Sequence, residues 1–109
     1  MLWYKIVERD KSYNYRTLFH GVDGSRRLPV GKWMRSQQKE VSDGYRGTKY
    51  KSGWHIMMDL DDCKKYLSKF TANLDRVIVM VDVKGKIWPK KHSLSDVYLC
   101  EYIKVIREI

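Results

Sequence analysis

The stretch Arg76-Val77-Ile78-Val79-Met80-Val81-Asp82-Val83 decides the fold. Side chains of an extended chain alternate between faces, so Val77, Val79, Val81 and Val83 share one face and Ile78 and Met80 the other. Apolar residues on both faces predict a central strand covered on each side. Just before it, Leu60, Cys63, Leu67 and Phe70 recur at three- and four-residue steps while Lys64, Lys65 and Lys69 take other faces, which predicts one amphipathic helix over 59–70. Asp59 is its N-cap, and Asp62 adds a carboxylate at the positive end of the helix dipole. Just after the strand, Lys84-Gly85-Lys86 reads as a tight turn, with Ile87 and Trp88 pairing briefly before Pro89 ends the ladder.

Outward from this centre the chain reads mostly as strand. Leu2 to Glu8 alternates Tyr4, Ile6 and Glu8 against Trp3, Lys5 and Val7, and Tyr15 to His20 reads as its hairpin partner. Val22 to Gly31 is a charged loop, and Lys32 to Val41 fits either a strand or a short helix. Ser42 to Gly53 reads as an exposed basic and aromatic loop or hairpin, followed by a short apolar strand from Trp54 to Met58. Lys90 to Asp96 is a second basic loop, and Val97 to Ile109 closes the chain as a long, bent or bulged strand. With neither repeat nor linker in 109 residues, the expected architecture is a single α+β domain over 1–109. It has a mainly antiparallel sheet of about five or six strands and one principal helix.

Four Trp, eight Tyr and two Phe among 43% hydrophobic residues exclude wholesale disorder. No apolar run approaches the ~18 residues that cross a bilayer, so a soluble cytoplasmic protein without a membrane partner is expected. Cys63 and Cys100 are isolated, with no histidine at zinc-ligand spacing; buried thiols are expected, a disulfide stays open, and no metal site is indicated. The formal charge of +9 is uneven: residues 1–54 hold 12 basic and 5 acidic side chains, a balance of +7, and residues 55–109 hold 10 and 8, or +2. Such a field either serves solubility or meets an anionic partner.

The basic residues Arg26, Arg27, Lys32, Arg35, Lys39, Arg46, Lys49 and Lys51 are interleaved with Trp33, Tyr45 and Tyr50, with Trp54 just beyond. Cations follow a phosphate backbone and aromatic faces accept unstacked bases, so the stretch suits single-stranded or structured nucleic acid, and no cofactor. The same surface suits an acidic protein, and Trp33 and Trp54 suit a core equally well. Of the three histidines, His92 lies in a basic loop, while His20 and His55 each sit beside a glycine and an apolar run.

Phe19-His20-Gly21, Ser52-Gly53-Trp54-His55 with the helix after it, and Cys100-Glu101-Tyr102-Ile103-Lys104-Val105 resemble, in order, the motifs of the ADP-ribosyltransferase superfamily. The resemblance implies NAD as cofactor and a host target. It implies that His20 holds the nicotinamide ribose, Gly21 the carboxamide, and Glu101 the oxocarbenium-like charge. His55 stands where that family has a stacking tyrosine. A second resemblance runs from Phe19-His20-Gly21 through Gly24-Ser25-Arg26, Leu28-Pro29, Gly31-Lys32-Trp33, Asp43-Gly44 and Gly47-Thr48 to Ser52-Gly53-Trp54-His55. With the closing Ile103 to Ile109, it is similar to small proteins of tailed bacteriophages. That likeness implies a setting, an accessory protein in the host-cell cytoplasm that acts on host machinery; taken with the basic aromatic stretch, it leads to the expectation of a protein that binds nucleic acid or a host nucleoprotein complex and inhibits a defence system. It also admits a virion or structural role.

Overall fold

The structure is a computed structural model that describes residues 2–17, 26–42, 49–69, 75–90 and 96–109. His20, Gly21, Arg46, Phe70 and the loop around His92 lie outside the described residues. In chain order the elements are β1 (Trp3–Arg9), β2 (Tyr15–Arg16), β3 (Trp33–Arg35), β4 (Glu40–Ser42), β5 (Lys49–Lys51), β6 (Trp54–Met57), α1 (Leu60–Ser68), β7 (Arg76–Pro89) and β8 (Val97–Glu108). Among the described residues the chain is thus largely β with one helix. Residues 32–41 hold two short strands and no helix, and β4 pairs with β5 antiparallel, Glu40 opposite Lys51 and Ser42 opposite Lys49.

Six strands form one antiparallel sheet that closes on itself. β1 pairs with both β6 and β7, and β8 pairs with both β6 and β7, so β1, β7, β8 and β6 make a ring, with β2 and β3 added at its edges. Closure needs strands long enough to belong to two walls. β7 serves β1 through Arg76 to Val81 and β8 through Val79 to Pro89, bending at two register shifts, between Met80/Val81 and between Lys84/Ile87.

The second shift corrects the turn expected at Lys84-Gly85-Lys86. β7 continues through it and on to Pro89, which still pairs with Tyr98. Gly85 and Lys86 together oppose Glu101, and Gly85 has a φ of 80°, so the glycine makes a bulge that bends one continuous strand. Glu101 braces this bulge: its Oε1 accepts from the Lys86 amide at 3.3 Å. A side chain on Gly85 would collide with the Glu101 carboxylate.

The two-sided burial read from β7 holds. Val79 and Val81 face the barrel interior with Trp3, Val7, Trp54, Ile56, Cys100 and Ile103, while Ile78 faces outward beneath the helix with Tyr4, Ile6, Met57 and Cys63. Each fully buried aliphatic side chain contributes roughly 1.5–3 kcal/mol. The helix starts where Asp59 caps it, the carboxylate accepting from the amides of Asp61 at 2.8 Å and Asp62 at 3.1 Å, and its described part ends at Ser68. α1 packs on β1, β6 and β7. The outer sides of β3, of β8 from Leu99 to Lys104, and of the last part of β7 carry no helix among the described residues.

Candidate nucleic-acid interface

Strand alternation sends Met34 toward the core and leaves Trp33 on the outer side of β3, half-buried. β3 pairs with β8 at Trp33↔Lys104 and Arg35↔Tyr102, and β7 pairs with the other edge of β8 at Lys84↔Tyr102. Side chains from three strands therefore meet on one surface. Lys84 Nζ lies 4.4 Å and Lys104 Nζ 5.0 Å from the Trp33 ring centre, and Lys84 also stands 5.1 Å from the Tyr102 ring. Asp82 holds Lys104 at 3.9 Å.

Beyond Arg35 the chain stays fastened to β8. The Ser36 amide donates to Glu101 O at 2.7 Å, and its hydroxyl donates to Cys100 O at 3.0 Å. This carries Gln38 past Glu101 to a cleft of about 500 Å³ between the β4–β5 hairpin and the end of β7. The cleft is lined by Gln38, Glu40, Lys49, Tyr50, Lys51, Trp88, Pro89 and Leu99. Lys51 Nζ lies 5.0 Å from the Trp88 ring and Lys90 Nζ 4.9 Å from the Tyr50 ring. A second group of cations on aromatic rings thus adjoins the first through Arg35, Glu101 and Gln38.

The residues singled out by sequence divide into three sets. Trp33, Arg35, Lys49, Tyr50 and Lys51 belong to this surface, with Lys49 4.0 Å from Glu40 and Arg35 3.7 Å from Glu101. Arg26 is turned to structural use: its guanidinium stacks 4.7 Å from the Trp54 ring and donates to Arg35 O at 3.0 Å. Trp54 itself is core, with its Nε1 donating to Met34 O. Arg27 is exposed and donates to Asn14 Oδ1 at 2.8 Å, beside β2, and Lys32 is exposed on the approach to β3. Five contributors were missed: Lys84, Trp88, Lys90, Tyr102 and Lys104. All lie in the half of the chain with the nearly balanced charge. The alternation of Lys84, Lys86, Trp88 and Lys90 was the available signal, hidden by reading Gly85 as a turn.

Two further titratable groups adjoin this surface through Tyr50, His55 directly and Lys5 behind it. Lys5, on the inward face of β1 and 6% exposed, donates to His55 O at 3.0 Å and lies 5.8 Å from the Trp54 ring. Burial pushes its pKa down from 10.5 to about 8. His55 packs edge-on against Tyr50, with ring centres 6.2 Å apart. Loss of solvent, then the charges of Lys5 and Lys90, lower its pKa from 6.5 to about 3, against a hydrogen bond that the ring donates to the Gly53 backbone and that opposes the shift.

His55 is therefore neutral at pH 7. Between pH 6.5 and 3 the unfolded chain binds a proton that the folded chain refuses, so folding stability falls as pH falls through that window. His55 is half-buried, so the expected loss at that site is about 2 kcal/mol rather than the ~5 kcal/mol of the full shift. Urea unfolding of His55→Leu against the wild type at pH 6.5 and 4 measures it, and parallel losses would refute the assignment.

Glu101 is also engaged by the fold. The Lys86 amide, then the Gln38 side chain, then the charges of Arg35 and Lys86 hold its carboxyl below the usual range. Glu101 and His55 are close in register, since His55 pairs with Leu99, two residues before Glu101. Both side chains are committed to internal contacts, and the third member of that set, His20, lies outside the described residues. No group of three His, Cys, Asp or Glu side chains able to hold a metal occurs among the described residues. Cys63 and Cys100 are buried free thiols, pushed by burial to about 11 and about 12. No helix among the described residues is long and apolar enough to cross a membrane.

No protein-family model, curated protein or solved structure matches the chain. The likenesses to ADP-ribosyltransferases and to phage proteins therefore rest on the quoted residues alone.

Proposed function

We propose that this chain is a nucleic-acid-binding protein that lays a single strand across the outer side of β3, β8 and the end of β7. The observation that carries the reading is the repeated stacking of lysines on outward aromatic rings: Lys84 and Lys104 on Trp33, Lys51 on Trp88 and Lys90 on Tyr50. A lysine on a ring is a flexible point charge held over a π-face. When a strand arrives, the ammonium trades the ring for a phosphate oxygen, and the ring face accepts a base. The two exchanges compensate each other, so binding leaves neither cation nor ring without a partner. In the phage setting the strand would belong to a host nucleoprotein complex, with inhibition of a defence system as the consequence.

The test is anisotropy of a labelled single-stranded oligonucleotide. Wild type is expected to bind, and Trp33→Ala to weaken binding about tenfold, the scale of one base–aromatic stack. Polyglutamate is expected to compete poorly. Tight binding of polyglutamate with none of RNA or DNA would replace this reading with an acidic protein partner, as in a virion contact. Nicotinamide release from NAD, abolished by Glu101→Ala, would replace it with the transferase reading.

A further inference from the structure

We infer that the cleft between the β4–β5 hairpin and the end of β7 receives one unstacked nucleobase of the bound strand, which makes this surface select single-stranded over duplex nucleic acid. The inference rests on the proposed nucleic-acid reading and adds to it a discrete subsite with its own specificity.

The cleft has the dimensions and walls that a planar ligand needs. About 500 Å³ is within the range of small-molecule sites, with ample room for one base and its sugar. Its two aromatic rings come from different elements, Tyr50 from the hairpin and Trp88 from β7. Both are held before any ligand arrives. Trp88 Nε1 donates to Lys51 O at 3.2 Å, and its ring lies so close over Gly53 that a Cβ there would sit 2.9 Å from the ring and 2.9 Å from Cys100 O. Glycine at 53 is what lets the indole lie against the sheet. Tyr50 is braced by the edge of His55, whose neutral imidazole adds no charge to the wall.

The polar groups match a base edge. Gln38 Nε2 is buried and has no acceptor in hydrogen-bonding geometry, although the amide stands close enough to Glu101 to help hold that carboxyl ionised. Glu40 lines the same cleft and offers acceptor oxygens, shared loosely with Lys49 at 4.0 Å. One donor and one acceptor suit the Watson–Crick edge of an unpaired base, which presents both. In a duplex that edge is occupied by the complementary strand, and the faces of internal bases are stacked on their neighbours. Lys51 and Lys90, at the rings, then neutralise the flanking phosphates.

The experiment compares one labelled sequence as single strand and as duplex, with 2-aminopurine as an internal base, on wild type, Trp88→Ala and Tyr50→Leu. Wild type is expected to prefer the single strand at least tenfold and to change the 2-aminopurine emission on binding. Trp88→Ala is expected to lose about tenfold in single-strand affinity, with duplex affinity unchanged. Tyr50→Leu, which leaves the packing of Trp88 on Gly53 in place, is expected to lose the preference too; circular dichroism checks that both variants fold. Wild-type binding with equal affinity for both forms, or a preference that survives both substitutions, would overturn the cleft while leaving a nucleic-acid surface standing. Binding of neither form by the wild type would overturn the surface and the cleft together.

Discussion

Replacing Lys5 by Met should make the fold more stable at pH 7, by about 3 kcal/mol, the cost of keeping a charge in the barrel interior. The pKa of Lys5 falls from 10.5 to about 8 because burial penalises the ammonium, and roughly 1.4 kcal/mol accompanies each unit. Methionine fills a similar volume and gives up one hydrogen bond, to His55 O. The pH profile separates this cause from simple repacking. Between about pH 8 and 10.5 the unfolded chain still holds a proton that folded Lys5 has released, so wild-type stability rises with pH there. Above pH 9.0 the buried thiols oppose it, because Cys63 and Cys100 stay protonated in the folded chain up to about 11 and about 12 while the unfolded chain ionises. Wild-type stability should therefore pass through a maximum near pH 9. Lys5→Met should lack the rise and show only the fall. A variant less stable than wild type at pH 7, with the rise intact, would show that the buried charge is compensated by contacts other than the single bond described. The charge of Lys5 also acts on His55, whose ring packs against Tyr50 of the cleft wall. The variant should thus bind an oligonucleotide more weakly while folding more firmly, a familiar opposition between stability and function.

Oligonucleotide affinity should fall about 50-fold when salt rises from about 50 to about 200 mM, because the phosphates that lysines neutralise release their counterions on binding. Four contacts on a single strand, from Lys51, Lys84, Lys90 and Lys104, give a slope of about −2.8 in log affinity against log salt, at ~0.7 per phosphate. Lys84→Ala should reduce the slope by about 0.7, and Arg27→Ala should leave it unchanged, since Arg27 lies beside β2 with Asn14. A salt-independent affinity, or equal effects of the two substitutions, would separate binding from this surface.

Much of the fold was legible in the chain because local pattern decides local structure. The alternation in Arg76 to Val83, the three- and four-residue steps of Leu60, Cys63 and Leu67, and the Asp59 cap each survive folding unchanged. Gly85 misled because a glycine between lysines marks a positive φ without saying whether the chain reverses there or bulges. Ring closure was not legible at all, since it depends on β7 and β8 each serving two walls.

The candidate surface was half legible for the same reason. Trp33 and Tyr50 stood out among basic residues, but counting charge along the chain gave the surface to residues 1–54. The pairing of β3 and β7 with β8 brings Lys84, Tyr102 and Lys104 to Trp33 across as many as 71 residues. Conversely, Arg26 is near in sequence yet closes over buried Trp54. The alternation put Lys5 on one strand face with Trp3 and Val7, but its burial appears only once the barrel closes around it.

The central claim is that single-stranded nucleic acid lies on the side of the barrel that carries Trp33, Lys84 and Trp88. Titrating a short single-stranded oligonucleotide into isotope-labelled protein and following amide and indole resonances tests it most directly. Shifts should concentrate at the indoles of Trp33 and Trp88 and at the amides of Arg35, Tyr50, Lys84, Tyr102 and Lys104, leaving helix residues 60–68 and the buried Trp54 indole still. Shifts centred on the helix or on β2 and Arg27, or none at saturating strand, would contradict it.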